Sequence, residues 1–158
     1  MLLFWLPLAA ASAHIVEEFF WPGGFTAWYH RTYPEIASSA SRRFIFWINA
    51  ALLFGCFAVG IDQRTSIGPA FFLLFATLLG ANGIFHLAAT IRMRRYSPGV
   101  VTGTLLYIPM ALYGAWVLVG AGRISIGAAA GAIAAGASYH FLSRLNHLRR
   151  AKAIEAKE

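Results

Sequence analysis

His14, Glu17 and Glu18 lie together near the end of an apolar run from Met1 to Trp21. Ionisable groups at membrane depth are costly and persist mainly where they bind an ion, relay protons or line a polar cavity. Residues three and four apart share a helix face, so both glutamates flank the line above His14. A histidine held by two carboxylates suits a metal ion or a shared proton.

Further donors lie elsewhere in the chain. Asn82 and His86 are four apart, and His140 and Ser143 are three apart, so each pair shares a helix face. His14, His86 and His140 with Glu17 or Glu18 would form a three-histidine, one-carboxylate set that suits zinc or iron. The other glutamate would then be free to act as general base on a metal-bound water. Asn49, Asn82, Tyr96 and Tyr107 are the polar side chains available to orient ligands or substrate. Asn49 would serve equally as a hydrogen-bonding link between helices. Only one pair of adjacent glutamates is present, and Asn82 stands where a di-iron site would need a carboxylate, so one ion is expected rather than two. Two arrangements need no such ion. Glu17 or Glu18 could exchange protons with His86 as an acid–base pair, or histidines from two helices could hold a haem. Arg42, Arg43 and Arg95 are the cations that could neutralise the acidic pair as a structural ion cluster.

The elements that must position these groups are membrane helices. The chain has 158 residues, 59% hydrophobic and 12% charged, with mean hydropathy +0.63. Soluble domains carry roughly 25% charged residues, so lipid is the expected outer solvent and the expected class is an all-α, polytopic membrane helix bundle. Spans are expected at about 1–21, 44–61, 69–91, 99–120 and 124–145, within one domain covering 1–158. The Ala11-Ser12-Ala13 sequence resembles a signal-peptide cleavage site, but no basic residue precedes the apolar run, which favours a retained span. Residues 22–43 read as an interfacial loop rich in aromatic and basic residues, and 149–158 as a fraying cytoplasmic tail.

Of the 13 Lys and Arg residues, only Arg64 and Arg123 fall on one side of this five-span arrangement. The positive-inside rule then puts the N-terminus outside and the C-terminus in the cytoplasm of a cell inner membrane. This bias also accounts for the net charge of +7 without nucleic acid as a partner. With that orientation, His14, Glu17, Glu18, Asn49, Asn82, His86, Tyr96, Tyr107 and His140 all fall in the cytoplasmic half. The outer halves carry almost no polar residues, which argues against a through-membrane channel. Gly127-x-x-x-Gly131 suits close helix packing, preferably within the chain and otherwise in a homodimer. Cys56 alone makes no disulfide and reads as a small buried hydrophobe.

His14-x-x-Glu17-Glu18, Asn82-x-x-x-His86 and Tyr96-Ser97-Pro98-Gly99, in this order, resemble the small bacterial membrane proteins of the HXXEE family, named for the first motif. The resemblance implies His14, Glu17, Glu18, Asn82, His86, Tyr96, Pro98 and Gly99 as positions of interest and carries no reaction with it. The expected function is therefore built from the residues. It is a membrane-embedded enzyme using one divalent metal, zinc or iron, on a lipid or other amphiphile near the cytoplasmic leaflet, with hydrolysis the simplest chemistry. The alternatives are a metal-free lipid isomerase and a haem- or small-ligand-binding membrane protein.

Overall fold

A computed structural model of the chain describes residues 2–156. Its regular elements are helical throughout, with no strand among the described residues. A 3-10 turn, Leu2–Trp5, leads into α1, Leu6–Phe19. Next come α2, Phe25–Thr32, a 3-10 segment Pro34–Ser39, α3, Arg42–Ile61, and α4, Gly68–Met93. The short α5, Val100–Thr102, passes through a π-helical turn, Gly103–Tyr107, into α6, Ile108–Gly120. The last helix, α7, runs Ile126–Glu155.

Four segments are long and apolar enough to cross a membrane: Leu2–Phe19, Arg42–Arg64, Gly68–Met93 and Val100–Gly120. They match the first four expected spans to within a few residues. Their outward faces mark a membrane protein. Phe46, Trp47, Phe54, Leu112 and Trp116 are each more than 60% exposed, which water would penalise and lipid would not. The fifth expected span, 124–145, is helical but is not among the four. Its glycine- and alanine-rich start is followed by Arg144, Arg149 and Arg150 within one continuous helix.

Two segments are more ordered than the sequence suggests. Residues 22–43 were expected as a loop, but α2 and the Pro34–Ser39 segment fold there. Trp28 and Ile36 are buried, and the Ser39 hydroxyl meets His147 Nδ1 at 2.6 Å. The tail expected to fray from residue 149 stays helical through Glu155, because Ala151 is buried and its neighbours are good helix formers. Lys157 and Glu158, the end of that expected tail, lie outside the described residues, as does Met1.

α4 is the central element. Its glycines let neighbouring backbones approach: a Cβ on Gly83 would collide with the Gly103 carbonyl of the π turn, and one on Gly80 would meet Ala111 of α6 at 3.0 Å. α7 packs on α4 through Gly136, whose Cβ would overlap the Leu74 carbonyl. The expectation that Gly127 and Gly131 pack inside the chain is not met, since nothing lies within 4 Å of a Cβ built on either. Gly136, five residues beyond Gly131, makes the close contact instead. Phe4, Cys56, Phe72, Leu73, Leu79 and Tyr107 form the buried core beneath the polar cluster.

Candidate functional site

His14 and Glu18 from α1 and His86 from α4 converge in the interior, each no more than 5% exposed. Glu18 Oε1 lies 3.4 Å from His14 Nε2 and 3.3 Å from His86 Nε2. The imidazole centroids are 5.1 Å apart, and the Tyr107 ring packs on His14 at 4.5 Å. Trp28 of α2 covers His86 at 5.9 Å. Consecutive residues on a helix point about 100° apart, so while Glu18 faces the two histidines, Glu17 turns to the start of α5.

There Glu17 is saturated with donors. It accepts from Tyr96 Oη–H at 2.6 Å, Val101 N–H at 3.0 Å, Thr102 N–H at 2.7 Å and the Thr102 hydroxyl at 2.5 Å. Two of these are N–H groups of a helix start, which have no intrahelical partner. Partial desolvation of the Tyr96 phenol, with the Glu17 carboxylate beside it, pushes its pKa up, so Tyr96 stays a donor. Glu17 thus lies outside the three-donor grouping: four donors occupy it, and it links α1 to α5.

The same contacts assign the His14 tautomer by proton counting. The Thr102 hydroxyl has one proton and gives it to Glu17, so toward His14 it can only accept. His14 Nδ1–H donates to it across 2.8 Å. Nε2 then carries a lone pair, which accepts from Asn82 Nδ2–H at 3.1 Å and faces Glu18. His86 is held in a similar way, its Nδ1 2.9 Å from Ser97 Oγ, while the Ser97 N–H donates to Thr90 Oγ1 at 3.3 Å. His86 Nε2 is buried and has no hydrogen-bond partner among the described residues.

These three donors could hold a metal ion, since one ligand atom from each lies within 4.8 Å of the others. A tetrahedral ion with bonds of roughly 2.0–2.2 Å sets its ligand atoms about 3.3–3.5 Å apart. The two nitrogen–carboxylate separations, 3.4 and 3.3 Å, match that spacing. Hydrogen bonds that orient the far nitrogen of each imidazole, here Thr102 with Glu17 and Ser97, are the usual surroundings of histidine ligands. The expected arginine partners of the acidic pair are not in place. The one Arg–carboxylate contact within 4 Å among the described residues is Arg144 with Glu35, at the protein surface.

The other expected site residues fall around this cluster. Asn82 reaches His14 directly. His140 is outside the three-residue cluster; its ring stacks on Phe85 at 6.1 Å. Asn49 donates to the Ile45 carbonyl of its own helix at 3.0 Å. Tyr107 is fully buried and its hydroxyl has no partner among the described residues. Thr90 and Thr102 were not singled out from sequence, nor was Ser97 given a role. A threonine or serine carries no chemical signal until the α5 turn is known to lie against α1. Glu18, Asn82, Asn49 and His140 also line a partly open cavity of about 590 Å³ between α2, α3, α4 and α7.

Comparison with known proteins agrees with these motifs. The chain is 28% identical over 102 residues to the uncharacterized protein YrkK of Bacillus subtilis (strain 168), a match spanning 64% of this chain and 65% of the relative's length. No solved structure matches. The family described as a protein of unknown function with HXXEE motif matches residues 5–114, a stretch containing all three donors and ending before α7. The chain belongs to the HXXEE-motif family.

Proposed function

We propose that this protein is a membrane-embedded metalloenzyme acting on a lipid or other amphiphile, with one divalent ion held by His14, Glu18 and His86. One observation carries the reading: a buried carboxylate oxygen stands at ligand spacing from two imidazole nitrogens, one of which has no hydrogen-bond partner among the described residues. A bound zinc would polarise a carbonyl and acidify a bound water, which makes hydrolysis the simplest chemistry, whereas iron would allow oxidation. Asn82 is placed to shift its amide from His14 to a substrate oxygen, and Glu17 keeps His14 aimed through Thr102. The experiment is elemental analysis of detergent-purified protein with a visible spectrum alongside. About one zinc or iron per chain is the expected result. No stoichiometric metal after growth in zinc- and iron-supplemented medium would sink it.

The second reading is metal-free. Glu18 Oε1 lies between the two imidazoles, close enough to exchange a proton with either. That supports an acid–base isomerase of lipid substrates. A haem fits less well, because Glu18 occupies the space between the imidazoles that a porphyrin would need.

We further propose that α7 forms a fifth span in a cell inner membrane, with the N-terminus outside and the C-terminus cytoplasmic. The distribution of Lys and Arg supports this arrangement. In a Cys56→Ser background in intact cells, Arg64→Cys is expected to react with an impermeant maleimide. Arg94→Cys is expected to react only after permeabilisation, and the reverse pattern would refute the orientation. The open Gly127–Gly131 face leaves room for a homodimer.

A further inference from the structure

The cavity beside the cluster has a direction. α4 and α7 run the same way along it, since Gly136 meets the turn from Leu74 to Leu78 and His140 stacks on Phe85. α3 runs the opposite way, with Phe44 5.0 Å from His147 at one end and Gly55 against the Phe75 ring at the other. The lining therefore changes along one axis. Leu52, Phe75 and Leu78 line an apolar end. Glu18, Asn82 and His140 form a polar waist. Arg144 and His147 stand at the far end. There Arg144 faces Glu35 at 3.5 Å with its side chain 61% exposed, and Arg150 lies 4.1 Å above the Phe44 ring. Two guanidinium groups against one carboxylate leave that end cationic.

The volume, about 590 Å³, falls within the range of roughly 300–1,000 Å³ typical of small-molecule sites. That size suits a small or single-chain molecule. We propose that the cavity binds a single-chain amphiphile with an anionic head, its tail at the Leu52–Phe75–Leu78 end and its head on Arg144. Bound this way, the chain passes the waist and brings a bond near the head within reach of Glu18 and Asn82. Only that last clause rests on reading the cluster as a reactive centre. The head is a carboxylate, as in a fatty acid, or a phosphate, as in a lysophospholipid, and the test separates them.

Detergent-purified full-length protein in an uncharged detergent is loaded with cis-parinarate, whose fluorescence rises in an apolar pocket. Oleate, oleoyl-lysophosphatidate and oleyl alcohol are then used to displace it. The anions are expected to displace it up to about fivefold more tightly than the alcohol, the worth of one solvent-exposed ion contact. Displacement by oleate alone assigns a carboxylate head, and by lysophosphatidate alone a phosphate head. Arg144→Gln, at an exposed position, is expected to remove the anion preference while sparing the alcohol. Leu52→Trp is expected to weaken all three. Equal displacement by alcohol and anions, or an unchanged preference in Arg144→Gln, overturns the proposal. His86→Ala protein is assayed in parallel. Retained anion preference there with no bound metal attributes the pocket to the cavity itself, so a failure of the metal reading leaves the pocket result standing.

Discussion

His86→Ala is expected to lower metal affinity by more than about a hundredfold, since losing even the hydrogen-bond partner of a ligand costs about 10- to 100-fold. The side chain is fully buried, and its Nε2 makes no hydrogen bond among the described residues that alanine would forfeit. The chief structural loss is the ring packing under Trp28 and Phe25, at 5.9 Å each, together with the Ser97 contact. That cost is roughly 1–3 kcal/mol, so the bundle is expected to stay folded. His14→Ala should lose metal to the same degree but destabilise more, because it also strips the acceptor contact at Thr102 and the ring packing with Tyr107. His140→Ala is the control and should keep its metal, since His140 lies outside the His14–Glu18–His86 grouping. The readouts are metal per chain after dialysis against a graded chelator and thermal unfolding in detergent. Full occupancy in both His14→Ala and His86→Ala, or loss in His140→Ala alone, refutes the ligand set.

The contrast between His86 and His140 shows where sequence reading stops. Hydropathy and basic residues assign depth, and depth placed three histidines in one layer. Depth says nothing of helix rotation, and rotation decides which imidazole meets Glu18. Glu17 and Glu18 are a sharper case. Periodicity lets both flank His14 equally, and only the docking of α5 against α1 sends one to four donors and the other to two histidines. Four spans were legible because twenty apolar residues leave a continuous signal. The order in residues 22–43 was not, because α2 is short and its stability comes from Trp28 against α4 and Ser39 against α7, contacts between distant parts of the chain. Gly99 was named only through a resemblance, yet the structure gives it a physical task that no local pattern announces.

Gly99→Ala is expected to abolish metal binding and to destabilise the fold, through two effects that can be separated. The first is backbone strain. Gly99 sits at φ +98°, in the region that side chains with a Cβ rarely adopt. The second is crowding. A Cβ at Gly99 would stand 2.6 Å from His14 Cε1, 2.9 Å from His14 Nε2 and 3.1 Å from His86 Cε1. Both imidazoles would have to retreat from one added carbon, and they retreat from the point where Glu18 meets them. Strain costs roughly 1–3 kcal/mol, and crowding in a packed interior adds about 1–3 kcal/mol. Gly122→Ala isolates the first effect: Gly122 also has positive φ, +65°, but nothing lies within 4 Å of its Cβ. That variant should lose a little thermal stability and no metal. If Gly99→Ala behaves like Gly122→Ala, strain alone is at work and the two histidines are free to move, which would contradict a preformed site. If Gly99→Ala loses metal beyond detection while Gly122→Ala keeps it, the absent Cβ of Gly99 is what leaves room for the two imidazoles at the spacing a shared ion requires.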